Sequence, residues 1–237
     1  MKFKSVYVSG LLAVWPVMQG MAQSELIKFG DFDSWIVRNI KESGIIGGDT
    51  KQLYENRSGC GLEREQGLHE PGRFAVATSN VMAKVCGITK TNTSVYREKR
   101  GDGYCARLET HVEKVKVMGI VNIEVLAAGS VFLGSVPEPI TNTSNPMSKL
   151  AVGIPFTKRP QAISFDYKVK LSDEPDRIRQ TGFSRVTKVQ GKDMPDVVCL
   201  LQKRWEDKKG NVYAQRIGTM IHVSTQYGLG KRCKISY

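Results

Sequence analysis

The chain alternates. Between Ile163 and Leu171 the residues Ile163, Phe165, Tyr167, Val169 and Leu171 are apolar, and Ser164, Asp166, Lys168 and Lys170 between them are polar. Successive side chains of an extended backbone point to opposite faces, so the pattern predicts a strand with one dry face and one wet face. The stretch GDGYCARLET at 101–110 repeats the design. A Gly101-Asp102-Gly103 turn leads into Tyr104, Ala106 and Leu108 on one side, expected to face the core. Cys105, Arg107 and Glu109 occupy the other side.

Further strands follow from composition. Residues 80–87 read as a short apolar strand, and residues 89–98 carry threonine, valine and tyrosine, which favour extended backbone. Residues 196–206 and 212–224 read as two strands around a turn at Glu206–Asn211. Residues 111–134 are ambiguous: valine and isoleucine argue for strands, while Glu124–Ala128 also reads as one helical turn. Near the start, Phe29, Phe32 and Trp35 surround a Gly30-Asp31 turn and are expected to tuck into a core. Residues 43–50 and 135–149 read as loops, 56–73 as a long surface excursion, and 173–182 as a polar hairpin or crossover. No segment carries a long helical period. About ten short strands between glycine and proline turns predict an all-β fold, a β-sandwich or jelly roll.

The first 22 residues read differently. Lys2 and Lys4 precede an apolar run from Val6 to Val17, followed by Gly20-Met21-Ala22. That order fits a signal peptide cleaved after Ala22, which leaves residues 23–237 as one domain. The expected location is therefore outside the cytoplasm, in a periplasm or on an outer cell surface. Cleavage removes two lysines, so the formal charge falls from +12 to +10. Such an excess attracts polyanions. With no helix-turn-helix, zinc-finger or RNP-like pattern, nucleic acid is not the expected partner. An acidic polysaccharide or an anionic bacterial surface is; a merely solubilising surface is the alternative.

Five cysteines, Cys60, Cys86, Cys105, Cys199 and Cys233, form no C-x-x-C pair. Cys86, Cys105 and Cys199 sit in apolar, strand-like contexts that suit free thiols. His69, His111 and His222 lack ligand spacing, so neither a metal nor a cofactor is implied.

Five segments resemble one family: KFGDFDSWIV, GDGYCARLET, EVLAAGSVFLG, GIPFTKRPQAISFDYKVKL and LLQKRWEDKKGNVYAQRIGT. Together they look like the putative carbohydrate metabolism domain (PCMD) of Bacteroidetes, across most of residues 25–227. The resemblance implies a galactose-binding-like jelly-roll sandwich, exported and linked with glycan capture, with no catalytic set to carry over. It also implies two departures: a polar stretch at 56–73, and a C-terminal end without the usual closing strand, as in a truncated copy.

Sugar-binding sandwiches stack aromatic rings on pyranose faces and use forked side chains to bond pairs of hydroxyls. The candidates here are Arg107 and Glu109 as a forked pair, and Phe156, Lys158 and Arg159 in a loop stiffened by Pro155 and Pro160. Trp205, near a hairpin tip, is the third. Each has a plainer reading: an exposed salt link worth about 0–1 kcal/mol, a proline-blocked strand edge, and a core tryptophan. Catalysis by a glycoside hydrolase would need two carboxylates at a set separation. Glu109, Asp166 and Glu206 lie on predicted strands, but nothing in the sequence brings any two together. The expectation is a non-catalytic carbohydrate-binding module, with hydrolase or cell-surface (fimbrial) assembly component as alternatives. Its partners are a polysaccharide or oligosaccharide and, beside it, outer-membrane proteins.

Overall fold

The computed structural model describes residues 24–57, 64–65, 76–117, 121–141, 150–180, 186–224 and 228–236. Among them the regular elements are eighteen strands and a 3₁₀ turn at Gly44–Ile46. The fold is all-β, as the alternation predicts, and consistent with a β-sandwich. No helix among the described residues is long and apolar enough to cross a membrane.

β1 (Trp35–Lys41) and β2 (Thr50–Asn56) pair antiparallel over their whole length, and β3 (Arg64–Glu65) lies parallel to β1. After β4 (Val76–Thr78) come three antiparallel hairpins. They join β5 (Val81–Val85) to β6 (Ile88–Asn92), β7 (Val95–Arg100) to β8 (Gly103–Leu108), and β9 (His111–Val117) to β10 (Val121–Ala127). β11 (Val131–Ser135) returns to pair with β4 on one edge and carries β12 (Ala151–Val152) on the other. β13 (Ala162–Val169) precedes two further pairs. These are β14 (Ile178–Arg179) with β15 (Thr187–Lys188), and β16 (Asp196–Glu206) with β17 (Val212–Val223). β18 (Gly228–Ser236) closes on β13.

Most predicted strands appear where expected, and the differences have local causes. Residues 89–98 form two strands rather than one. The break falls where Asn80 Oδ1 accepts the N–H groups of Ser94 and Val95, both at 2.9 Å, and turns the chain there. Glu124–Ala128 is not a helical turn. Val121–Ala127 pairs residue for residue with β9 as an antiparallel ladder, the outcome the segment's valines and isoleucine favour by propensity. Cys86 is exposed in the β5–β6 turn at φ 49°, not packed in a strand. Leu108 is exposed, because it ends β8 where the core stops. Where the sequence reading expects no closing strand, Gly228–Ser236 lies antiparallel to β13. Most of the excursion at 56–73 lies outside the described residues, as do Cys60 and residues 1–22.

The core lies on one face of β1 and β2. Ile36 and Ile40 of β1 face Leu53 of β2, joined by Val76, Ala77, Val95 and Val136. Into this apolar set the chain places Arg38, 2% exposed. Its guanidinium pairs with Glu55 across the ladder and, at 2.6 Å, with Glu138 from the segment after β11. A buried charge survives only with such partners. Trp35 is buried as expected, donating its indole N–H to Phe32 O at 2.5 Å, whereas Phe29 and Phe32 stay half-buried in left-handed backbone.

Asn80 is the second polar anchor. Its Nδ2 donates to Tyr54 O at 3.0 Å and Val95 O at 2.7 Å, while its Oδ1 takes the two N–H groups named above. One side chain thus ties β2 to the start of β7. Replacing Asn80 by alanine removes all four bonds; Tyr54 O keeps the Thr78 hydroxyl at 3.2 Å, and the other three backbone groups lose a partner, at about 1–3 kcal/mol each when left unpaired, partly recovered by water. Asn80→Ala is expected to lower unfolding free energy by about 3 kcal/mol, read as a lower denaturant midpoint at unchanged slope.

Candidate functional site

The ladder of β1 and β2 has a second face. Opposite the side that carries Arg38 and Leu53, the residues Asn39, Thr50, Gln52 and Tyr54 line an open cleft of about 1400 Å³. The next wall comes from Thr91, Thr93 and Tyr96 of the β6–β7 stretch. Leu108, Glu109, Thr110, His111 and Glu113, where β8 passes into β9, continue it. The turn Ala128–Val131 and residues 170–172, Asp176 and 193–198 close the far side.

Two tyrosines meet in this cleft. The rings of Tyr54 and Tyr96 lie 5.8 Å apart, tilted by 54°. Tyr54 Oη donates to Gln52 Oε1 at 2.9 Å, and Tyr96 Oη donates to Thr93 O at 2.8 Å. Both rings are therefore fixed in orientation before any ligand arrives. The Arg107 guanidinium lies over Tyr96, 4.3 Å from the ring centroid. It pairs with Glu109 and, at 3.0 Å, with Glu98. Arg107 and Glu109 thus do meet, in a half-exposed network resting on an aromatic ring.

Further along, His111 Nε2 lies 3.1 Å from Glu113 Oε1, and Lys90 Nζ bridges Glu113 at 3.6 Å and Glu42 at 3.3 Å. Glu42 is buried and accepts the N–H and hydroxyl of Thr91, both at 2.8 Å. The cleft rim is richer in carboxylates than in cations. Glu109, Glu113, Asp176, Asp193 and Asp196 stand against Lys51 and Lys170, in a chain of net charge +12. Among the described residues no group of three or more potential metal ligands gathers.

The other sequence-predicted residues lie outside the cleft lining. Phe156, Lys158 and Arg159 are exposed in the loop before β13, where Lys158 pairs with Glu25. Trp205 is exposed, not core, and stacks on Tyr213 across the hairpin at 5.8 Å and 14°. Of the three carboxylates on predicted strands, Glu109 lines the cleft, while Asp166 and Glu206 do not. Sequence reading missed Tyr54, Tyr96, His111 and Glu113. Tyr54 alternates with Gln52 on one face of β2, a signal that only the partner strand turns into a site.

Two cleft carboxylates are paired with cations, Glu109 with Arg107 and Glu113 with Lys90, and Glu113 also meets His111 Nε2. The carboxyl that burial pushes upward is Glu138, partly offset by Arg38 and the Met82 N–H, and it sits in the core.

Comparison with known proteins adds one match. The family model described as "Putative carbohydrate metabolism domain" matches residues 49–219, more than two thirds of the chain and every wall of the cleft except Asn39. No curated protein and no solved structure matches.

Gly129 holds the cleft's upper wall in place. A Cβ there would sit 2.5 Å from both Glu109 N and Ser94 O, the two atoms of a 2.9 Å hydrogen bond. The neighbours are backbone and cannot move aside singly. Gly129→Ala is expected to cost about 1–3 kcal/mol through overpacking, measured by chemical denaturation, with amide exchange at Glu109 rising first.

Proposed function

The chain belongs to the putative carbohydrate metabolism domain family, and from that premise we propose that the cleft between β2 and β9 binds a saccharide without cleaving it. The family assigns a carbohydrate-related role. The cleft supplies the chemistry such a role needs. The observation that carries the reading is the pair Tyr54 and Tyr96, oriented by their own hydroxyl bonds in a cavity of about 1400 Å³. That volume exceeds the roughly 300–1000 Å³ of small-molecule pockets, so it suits several sugar rings in a row. Gln52, Thr50, Thr93, Thr110 and Ser130 add hydroxyl and amide groups around the rings, the groups that match sugar hydroxyls.

Binding is favoured over hydrolysis by how the cleft carboxylates are engaged. Glu109 is paired with Arg107 and Glu113 with Lys90, whereas a glycosidase needs two carboxyl groups facing one glycosidic bond at a set separation. Arg107 serves as a positioning group, fixing Glu109 and covering Tyr96. The proposal further places the protein outside the cytoplasm, exported by its first 22 residues, as a jelly-roll module of a glycan-capture system.

Titration of the protein with oligosaccharides of increasing length is expected to show affinity rising over several units, with no release of reducing ends. Tyr54→Ala is expected to weaken binding about tenfold or more, as truncation of a central aromatic contact does, while Tyr54→Phe retains most of it. Release of reducing ends would turn the reading to a hydrolase. Unchanged affinity in Tyr54→Ala would remove the cleft from it.

A further inference from the structure

The β16–β17 hairpin changes character halfway along. Near its base it alternates normally: Val197, Cys199, Leu201 and His222 are partly covered and Met220 is buried. There His222 Nε2 lies 3.1 Å from Tyr167 Oη and packs edge-on against Phe165 and Tyr167. From Lys203 to Ile217, however, every residue except Asp207 is exposed, on both faces. This half of the hairpin touches the rest of the chain through Arg204, whose guanidinium donates to Val152 O at 2.9 Å, and beyond that point its residues are exposed.

The turn is built firmly. Asp207 Oδ1 accepts the N–H groups of Lys209 and Asn211, at 2.8 and 2.9 Å, and Oδ2 accepts Asn211 Nδ2 at 2.8 Å and Tyr213 Oη at 3.2 Å. A projecting tip held this rigidly presents whatever it carries. It carries large apolar groups: Trp205 (49% exposed), Val212 (59%), Tyr213 (45%) and Ile217 (64%). It also carries Lys203, Arg204, Lys208, Lys209 and Arg216, five cations against the two carboxylates Glu206 and Asp207, a net of +3. Asp207 is spent on the turn.

We propose that this tip is a docking element for an anionic lipid surface. Two features decide against a sugar platform. Exposed aliphatics such as Val212 and Ile217 offer no bond to a hydroxyl, whereas both enter an acyl boundary favourably. A tryptophan and tyrosine with apolar rings and polar tips suit the headgroup level. Charge complementarity selects the lipid, because clustered cations are drawn to anionic headgroups. Reach is sufficient: beyond the Arg204–Val152 contact the strand residues Trp205 and Glu206 extend about 7 Å at roughly 3.3 Å each, within the ~5–10 Å depth at which apolar faces settle in the interface. The proposal does not rest on the saccharide cleft, which the tip does not line.

The test uses the whole protein, carrying Trp15→Phe to silence the tryptophan of the N-terminal apolar run, with vesicles of phosphatidylcholine, alone or mixed with phosphatidylglycerol. Trp35 is already buried, so a blue shift of tryptophan emission on mixing reports Trp205, and Trp205→Phe assigns the signal by removing it. The expected result is co-sedimentation and a blue shift with the mixed vesicles, much weaker with phosphatidylcholine alone. Trp205→Ala with Tyr213→Ala, which leaves charge unchanged, is expected to lower partitioning about tenfold or more. Lys208→Gln with Lys209→Gln is expected to lower it about twenty-fivefold, roughly fivefold per cation. The replaced side chains make their contacts within the hairpin, the Trp205–Tyr213 stack and the Tyr213–Asp207 bond, so denaturation midpoints should move little in either variant. Partitioning unchanged by the aromatic pair would mean net charge alone and would overturn the proposal. So would an emission shift with soluble polysaccharide but not vesicles, or a dimer in solution that Ile217→Ser dissociates.

Discussion

The structure depends on a charge placed where charge is costly. Arg38 stands between Ile36 and Ile40 on the dry face of β1 and is 2% exposed. Moving an ion from water into a protein interior costs several kcal/mol even after relaxation, and only well-placed counter-charges offset it. Arg38 finds two. Glu55 sits diagonally across the β1–β2 ladder and is itself paired with Arg57 at 3.2 Å. Glu138 comes from a hundred residues downstream, and its second oxygen accepts the Met82 N–H at 2.9 Å. The cluster therefore joins three separate pieces of chain: the β1–β2 ladder, the start of β5 and the segment after β11. A buried pair of this kind adds little net stability over a well-packed apolar set, but it permits only the arrangement in which every partner is met.

That arrangement positions the cleft. The face of β1–β2 that meets the charge cluster fixes the opposite face, which carries Tyr54, Gln52 and Asn39. Asn80 then relays the position of β2 to β7 through Tyr54 O and Val95 O, one residue before Tyr96. The two tyrosines are thus set 5.8 Å apart by buried polar groups on the far side of the backbone. Gly129 lets the third wall approach the bond between Glu109 and Ser94. Core and cleft are two faces of one constraint.

Much of this was legible in the sequence. The alternation of Ile163–Leu171 and of the runs flanking Glu206–Asn211 depends only on neighbours in the chain, and those strands appear. The resemblance read from five segments agrees with the family match over residues 49–219. Arg107 and Glu109 were legible as a pair because a strand puts residues two apart on one face. Their footing on Tyr96 was not, because it depends on the register of β7 with β8. Leu108 looked like core, since alternation says which residues share a face but not where the core ends. The sequence reading does not mark Arg38, because its role requires Glu138, which no local pattern links to it. From sequence Trp205 reads equally as platform or core, and its exposed place on the hairpin decides it.

The most direct test of this account is the unfolding free energy of Arg38→Ala, measured with residue-resolved amide exchange. Removing one member of a buried charge cluster leaves Glu55 and Glu138 without it, and the predicted loss is about 3–5 kcal/mol. Protection should fall together at Leu53 and Tyr54 of β2, at Met82 and around Val136. A loss below about 1 kcal/mol, the range of an exposed ion pair, or protection lost at β1 alone, would contradict the claim that this cluster holds the three pieces together.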